Sequence, residues 1–335
     1  MIYKRQGNQT VVFENPPVIL SSYSVVGPKE GKGPLGKTFS KVLPDSLNGN
    51  KSWEVAESKM LEAAMQGALE QSRLKSDEID YMLAGDLLNQ IISSNFAART
   101  MGLPFIGLYG ACSTMALGMA VGSMLIDGGF ARNVLVGVSS HHDTAERQYR
   151  SPTEQGNQRA MSAQWTVTGA GSLVLAQSGT GPRVTAATIG RVLDFGEKNV
   201  NNMGGAMAPA VADTILNHMN DLKRTPADYD LIVSGDLGQV GLMLAKEVLK
   251  RSGVETANQF NDCGVMIYDS GQDVHAGGSG CACSAVVFAG DIMQKLNSKQ
   301  YKRVLLAGSG ALHSPTSSLQ GESVPGIGHA IVIEA

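Results

Sequence analysis

The feature of this sequence that most constrains its fold is an internal repeat. In each half an apolar strand ends in Gly-Asp, a helix begins near a cysteine, and a second apolar strand follows. The matched segments, in chain order, are 80–87 with 230–237, 111–113 with 282–284, and 134–140 with 304–310. Because several matched elements occur in the same order, the sequence predicts two copies of one α/β unit packed together. A site shared by the two copies would draw one Cys and one Asp from each.

The boundary between the two copies is placed after residue 178, which gives a first half of 1–178 and a second of 179–335. The polar segment 141–170 is interpreted as a long loop insertion in the first half. Strands that are apolar throughout and alternate with helices predict parallel or mixed sheets covered on both faces. Within the first half we predict a helix over 53–73 with Ser52 as its N-cap, and a tightly surrounded central helix over 112–126.

Composition excludes several functional classes. The chain of 335 residues has 43% hydrophobic residues and a formal net charge of −3, which argues against nucleic acid as a partner. No apolar run has the length of a membrane span, and the N-terminal residues do not resemble a signal peptide, so we expect a soluble chain made in the cytoplasm. Four cysteines favour a reducing compartment, and they lack the spacing of a zinc site. We therefore predict no resident cofactor or metal.

Cys112 is the first candidate for chemistry, because it follows a strand and Gly110 at a predicted helix N-terminus. Backbone N–H groups at such a position would lower the pKa of the thiol or hold an anion. A small buried Cys in a dense core explains the same pattern. Ser113 beside it, and Cys283 at the matching position of the second half, complete this group of candidates.

Asp86 and Asp236 end matched strands, and ligands bind at the carboxyl ends of strands in open α/β sheets. An Asp at a strand–helix junction is also a common helix N-cap, so both interpretations stay open. His141 and His142 follow the strand after the Cys112 helix and could face the same cleft, although a lone His is usually structural.

Two further features allow both a functional and a structural interpretation. Arg147 and Arg150 could pair with a carboxylate ligand or with the neighbouring acids Glu146 and Glu154. The glycines of 277–280 would let the backbone approach either a ligand or the facing helix.

A duplicated α/β unit with a Cys at the start of a buried central helix resembles the thiolase-like superfamily. The resemblance implies a five-layer α-β-α-β-α fold with a cleft at Cys112. It also implies a homodimer in which the strand at 132–139 pairs across the two-fold axis. Condensing enzymes of the superfamily need a base His and a second His, Asn or Cys. This sequence has Asp236 at the position of the base, and Cys281 and Cys283 where an Asn is expected.

A longer resemblance, over nearly the whole chain, is to the stage V sporulation protein AD (SpoVAD) family. The runs that carry it are 13–16, 26–30, 83–90, 110–114, 144–148, 190–192, 206–210, 261–264 and 276–284. This resemblance implies a spore-forming bacterium and a protein that works with the integral membrane proteins of the SpoVA assembly at the spore inner membrane. Their cargo is dipicolinate (pyridine-2,6-dicarboxylate), which is carried with calcium into the developing spore.

Two functions of different classes follow. The first is a non-catalytic dipicolinate-binding protein, in which Cys112, Ser113, Asp86, His141, His142, Asp236 and Cys283 are the candidate ligand-binding residues. The alternative is an acyl-transfer or condensing enzyme that uses Cys112 with His141 or His142 as its base. A scaffold with a vestigial pocket is a third reading. Whether calcium binds together with the ligand is left open by the sequence.

Overall fold

The computed structural model describes residues 4–149, 159–256 and 258–335, so the candidates Arg150 and Glu154 lie outside the described residues. The strands are β1 Arg5–Gln6, β2 Thr10–Val12, β3 Val18–Val26, β4 Lys41–Val42, β5 Tyr81–Gly85, β6 Phe105–Gly107, β7 Asn133–Ser140, β8 Trp165–Thr166, β9 Gly169–Ala176, β10 Arg183–Ile189, β11 Leu231–Ser234, β12 Phe260–Asp262, β13 Gly278–Ser279, β14 Arg303–Ala311 and β15 Gly326–Glu334. The helices are α1 Pro28–Gly31, α2 Trp53–Ser72, α3 Ile92–Met101, α4 Thr114–Asp127, α5 His142–Tyr149, α6 Met203–Leu222, α7 Gly238–Arg251, α8 Cys263–Met266, α9 Cys281–Val287, α10 Met293–Asn297 and α11 Pro315–Leu319.

Ten of these strands form two five-stranded sheets that repeat one topology. The first sheet has the order β3-β9-β7-β5-β6, and the second has the order β10-β15-β14-β11-β12. In each sheet three parallel strands are followed by one antiparallel neighbour, β9 or β15. Among the described residues, the two sheets are joined where Arg183 of β10 pairs with Val18 of β3. The duplication read from the sequence is therefore present in the strand order.

Helices cover both sheets on both faces and complete five layers. Helix α2 packs on the outer face of the first sheet, and α6 packs on the outer face of the second. Helices α4 and α9 lie between the sheets, and α4 contacts β7 on one side and β14 on the other. The buried apolar residues form three clusters, one between the sheets and one under each outer layer. The predicted thiolase-like α-β-α-β-α architecture is confirmed.

Local sequence signals set the ends and the packing of the helices. Helix α2 begins after Ser52, whose hydroxyl accepts a hydrogen bond from the Val55 amide, as predicted. The central helix α4 is closely surrounded because it carries small residues where it faces the strands. A Cβ on Gly118 would lie 2.7 Å from a methyl of Val136, and one on Gly122 would lie 2.9 Å from a methyl of Leu175. Glycine at both positions lets α4 approach the first sheet.

Two expectations from the sequence are wrong. The strand over 132–139 was expected at an open edge, but β7 is paired on both sides, with β5 and with β9. The strand that ends the first sheet is β6. The segment 141–170 is not a plain loop insertion, since it begins with α5, contains β8 and runs into β9. The sequence did not predict these elements because the segment is largely polar, and α5 buries only part of its surface in the core.

Helix α2 carries a buried acid. The Glu57 side chain lies under β7 and accepts hydrogen bonds from the hydroxyls of Ser139, at 3.2 Å, and Thr144, at 2.7 Å. Burial raises the pKa of Glu57 well above its usual range, and the nearby Asp86 carboxyl raises it further. Because both carboxyl groups are buried and close together, ionisation of Glu57 and ionisation of Asp86 disfavour each other.

The raised pKa of Glu57 predicts how stability depends on pH. An acid whose pKa is higher in the folded state stabilises the protein below its unfolded pKa of about 4.3. That stabilisation is lost, by about 1.4 kcal/mol per pH unit, as pH rises towards the folded value. Glu57→Gln cannot ionise, so urea unfolding between pH 4 and pH 8 should show a flatter profile than the wild type.

The matched control is Glu70→Gln, an exposed acid on the same helix, which should leave the slope of the wild type unchanged. Equal slopes for wild type and Glu57→Gln would show that Glu57 does not titrate in this range.

Candidate functional site

A cavity of about 400 Å³ opens where the two halves meet, at the carboxyl ends of β5 and β14. Both halves contribute to it, as the repeat predicts for a shared site. Its lining residues are Leu87, Asn89, Tyr109, Ala111, Cys112, Ala145, Glu146, Tyr149, Gln164, Thr166, Val200, Asn201, Met203, Met207, Ser279, Ala311, Leu312, His313, Ser314 and Pro315. Cys112 is the one residue of the sequence-derived candidate set among these lining residues.

Cys112 lies in a short 3-10 turn, Ala111–Ser113, that precedes α4. Its thiol lies close enough to the Asp236 side chain and to the Gly280 amide for both groups to influence its pKa. Burial raises the pKa of the Cys112 thiol well above its usual range, and the Asp236 carboxyl raises it further. The expectation that the helix start would lower this pKa is wrong, because burial and a neighbouring acid outweigh the backbone N–H groups.

Asp236 is fully buried beneath Cys112, and its two carboxyl oxygens are occupied. One oxygen accepts from the Ser309 hydroxyl at 2.6 Å. The other accepts from the Ser279 hydroxyl and from the Gly280 amide, both at 2.9 Å. Burial raises the pKa of Asp236, while these donors and Cys112 oppose the rise. The three donors of the second half hold the side chain in one orientation, close to Cys112 of the first half.

The strand pair β8–β13 forms part of the pocket wall. Gln164 precedes β8 and donates from Nε2 to the carbonyl oxygens of Asp236 and Gly278, both at 2.7 Å. Gly280 follows β13 with φ 97°, and a Cβ there would lie 2.8 Å from the Ser140 hydroxyl. Glycine is therefore needed for the turn that brings the Gly280 amide to Asp236. The glycine run 277–280 serves close backbone packing, one of its two predicted roles.

Asp86 acts as a helix cap in this structure and does not line the cavity. Its Oδ1 accepts from the Leu88 amide at 2.8 Å, and its Oδ2 accepts from both the amide and the hydroxyl of Ser94, at 2.8 and 2.7 Å. Ser94 lies in the first turn of α3, whose start has no other side-chain cap. Burial raises the pKa of Asp86, and the three donors oppose the rise.

The two histidines also lie outside the lining. His141 is buried, with Nε2 2.9 Å from the Ser46 carbonyl oxygen and Nδ1 accepting from the Asp143 amide at 3.2 Å. Burial lowers the pKa of His141. The His142 ring stacks on Trp165 with ring centroids 3.6 Å apart. Neither histidine is among the described residues that line the cavity with Cys112.

The remaining candidates have structural partners. The Ser113 hydroxyl donates to the Gly110 carbonyl oxygen at 2.7 Å, and Cys283 is buried in the core around α9. Arg147 pairs with Glu54 of α2 rather than with the neighbouring Glu146. In the second half Cys281 takes the place beside Cys112, with its Sγ 2.9 Å from the Ala111 carbonyl oxygen.

Several lining residues were missed by the sequence analysis. Tyr109 and Tyr149 come from the first half, and Asn201, Met203 and His313 come from the second. They lie on loops and helix ends that meet only in the folded chain, so periodicity did not mark them. Two of these residues could have been found from the matched strands β7 and β14, because Tyr149 and His313 lie in the segments that follow these strands.

The lining within the described residues is uncharged except for Glu146 and the titratable His313, and contains no Lys or Arg. Its polar groups are hydroxyls and side-chain amides. Among those same residues, no group of three or more His, Cys, Asp and Glu side chains is arranged to hold a metal ion. In the part of the chain that the structure describes, no helix has the length and apolar character needed to cross a bilayer.

Comparison with known proteins decides the family. The model of the family "Stage V sporulation protein AD (SpoVAD)" matches residues 7–334. The stage V sporulation protein AD of Bacillus subtilis (strain 168) is 47% identical over 331 residues, which are 99% of this chain and 98% of that protein. The chain belongs to the SpoVAD family. This membership establishes a sporulation role in the SpoVA system.

Solved structures support the fold of this SpoVAD-family chain. A cerulenin-bound OleA from Xanthomonas campestris aligns with a TM-score of 0.64 at 14% identity, covering 96% of this chain and all of that one. The 3-oxoacyl-[acyl-carrier-protein] synthase III of Aquifex aeolicus aligns with a TM-score of 0.58 at 12% identity, covering 95% of this chain and all of that one. These likenesses show a thiolase-like fold and nothing further about activity.

A substitution at Asp86 tests its role as a cap. Asn has one oxygen where Asp86 uses two, so Asp86→Asn should lower the free energy of unfolding by about 1–3 kcal/mol. The affinity of the pocket for a ligand should stay unchanged, because Asp86 does not line it. Ser94→Ala removes a partner of Asp86 and should reproduce both results. A loss of affinity in Asp86→Asn alone would place Asp86 in the site.

A substitution at Asp236 tests what holds the Cys112 thiol protonated. Asp236→Asn removes the acid, so the pKa of Cys112 should fall and alkylation by iodoacetamide at pH 8 should become faster. Each unit of pKa raises the thiolate fraction about tenfold. The control is Asp236→Asn combined with Cys112→Ser, which isolates labelling at Cys112. An unchanged alkylation rate would mean that burial alone controls the thiol.

Proposed function

We propose that this protein binds dipicolinate in the cavity between its halves and does not catalyse acyl transfer. The observation that carries this proposal is the Cys112–Asp236 pair at the base of the cavity. A condensing enzyme needs a thiolate and a base, whereas here burial and the Asp236 carboxyl raise the pKa of the thiol, and Asp236 stands where the family resemblance places the base. A cleft like that of a condensing enzyme, with the Cys112–Asp236 pair at its base, suits ligand binding better than catalysis.

The lining suits a small, flat molecule that carries carboxylates. Hydroxyl and amide groups of Tyr109, Asn89, Asn201 and Ser314 offer donors to carboxylate oxygens. Because no Lys or Arg lies among the described lining residues, these donors, or a cation carried with the ligand, must offset its charge. Calcium that accompanies dipicolinate would meet this need, and Glu146 is the lining carboxylate that could contact it.

The partners follow from the family and from the edge of the first sheet. We propose that the protein works with the integral membrane proteins of the SpoVA assembly, peripherally at the spore inner membrane, and serves dipicolinate uptake during sporulation. We also propose a homodimer in which β6, rather than the strand at 132–139, pairs across the two-fold axis. Phe96 on α3 near this edge is 41% exposed, and an unpaired strand edge favours association.

The alternative function is an acyl-transfer or condensing enzyme. The observation in its favour is that Cys112 and His313 line the same cavity within a thiolase-like fold. The raised pKa of Cys112 stands against it, because the thiolate is the nucleophile. Steady turnover of an acyl thioester that is lost in Cys112→Ser would establish the enzyme, whereas stoichiometric labelling without turnover would not.

The binding proposal predicts a saturable calorimetric titration with dipicolinate. For a ligand of this size we expect micromolar to millimolar affinity, about −4 to −8 kcal/mol. Filling the cavity from either half, with Cys112→Trp or Asn201→Trp, should abolish binding. Titrations with and without calcium show whether the cation enters with the ligand.

The matched control for these cavity-filling variants is Lys198→Trp, at an exposed position that does not line the cavity. Circular dichroism melts establish that each variant is folded. If the Asn201→Trp protein is folded and binds dipicolinate with wild-type affinity, the ligand does not bind in this cavity.

The dimer proposal predicts a mass of about twice 35.2 kDa by light scattering at micromolar concentration. Phe96→Glu places a charge beside β6 and should shift the mass to that of one chain. Met243→Glu makes the same kind of change on the exposed face of α7 in the other half and should leave the dimer intact. A single-chain mass for the wild type would contradict the proposal.

A further inference from the structure

One wall of the cavity is aromatic. Tyr109, Tyr149 and His313 all line it, and the rings of Tyr149 and His313 lie with centroids 5.3 Å apart and planes inclined by 35°. The Tyr109 and Tyr149 hydroxyls lie close enough for each to influence the pKa of the other. Three aromatic rings from separate segments therefore meet at one surface of the pocket.

This wall is held in place by its neighbours. The Tyr149 hydroxyl donates to the Leu87 carbonyl oxygen, and the Gln148 side-chain amide donates to the same oxygen at 3.0 Å. The Gln148 side chain also accepts from the Asn89 amide at 2.9 Å. These bonds tie the end of α5 to the loop after β5. A ring fixed in this way loses little conformational entropy when a ligand binds.

The second half contributes a different surface to the same cavity. Val200, Met203, Met207, Leu312 and Pro315 line it, and all of these side chains are apolar. Methionine sulfur makes favourable contacts with aromatic rings and adapts to their shape. An aromatic wall and an aliphatic, Met-containing lining together suit the two faces of a planar ring.

We propose that Tyr109, Tyr149 and His313 form a ring-binding subsite that selects aromatic dicarboxylates over saturated ones of the same charge. The inference rests on the proposed function, since the cavity has to bind a dicarboxylate at all. It adds that recognition depends on the face of the ring as well as on the carboxylates. Contacts between aromatic rings are favourable beyond the area that they bury.

Ring-removing and ring-keeping variants test the subsite in the full-length protein. Dipicolinate is titrated into Tyr149→Leu and His313→Leu, and into Tyr149→Phe and His313→Phe. The leucine variants should lose about five- to tenfold in affinity, while the phenylalanine variants stay within about twofold of wild type. Tyr149→Phe also removes the hydroxyl bonded to Leu87, so it separates loss of the ring from loss of that bond.

A pair of ligands of equal charge gives a second measurement. Benzene-1,3-dicarboxylate and cis-cyclohexane-1,3-dicarboxylate compete against dipicolinate, and the aromatic member should compete at least about fivefold better. Leucine variants with wild-type affinity, or equal competition by the two ligands, would overturn the subsite and leave dipicolinate binding intact. Absence of any dipicolinate binding to the wild type would overturn the proposed function, and the subsite with it.

Discussion

The buried carboxyl of Asp236 is the interaction on which the site depends. It accepts hydrogen bonds from Ser309 of β14, from Ser279 of β13 and from the Gly280 amide before α9. The thiol of Cys112, from the other half of the chain, lies close enough to influence its pKa. Each donor offsets part of the cost of burying a carboxyl group, and together they fix the orientation of the Asp236 side chain. These contacts determine how the side chains at the base of the cavity are arranged.

The same carboxyl is the main argument for the proposal that this thiolase-like fold binds a ligand without catalysing acyl transfer. Catalysis by a cysteine needs a stabilised thiolate, and a neighbouring acid in a buried place opposes that charge. The fold still supplies a cleft between its halves, at the ends of matched strands, where ligands bind in open α/β sheets. In the proposed function, a few residues at the base of this cavity separate ligand binding from the chemistry of other proteins with the fold.

The architecture could be predicted from the sequence, because it follows from a repeat that is visible in the residues themselves. The matched Gly-Asp strand ends and the paired cysteine segments led to two copies of one unit, and the sheets have that symmetry. The N-cap of α2 was also accessible, since Ser52 before a helical pattern is a local signal. The edge strand of the first sheet could not be predicted in this way, because the strand that ends a sheet is determined by pairings between distant segments.

The site was predicted less completely, for a physical reason. Cys112 follows from its place before a central helix, but Asp86 and Asp236 look alike in sequence and differ in what surrounds them. Tyr109, Tyr149 and His313 approach each other only after both halves have packed. The pKa of Cys112 was expected to move in the opposite direction, since the helix start is visible in the sequence and the buried acid beside it is not.

The most direct test of the account is a crystal structure of the protein with dipicolinate, with calcium present in one crystal and absent in another. The account predicts one ligand in the cavity between the halves, beside Cys112, in contact with residues of both. A ligand bound elsewhere while this cavity holds only solvent would contradict it.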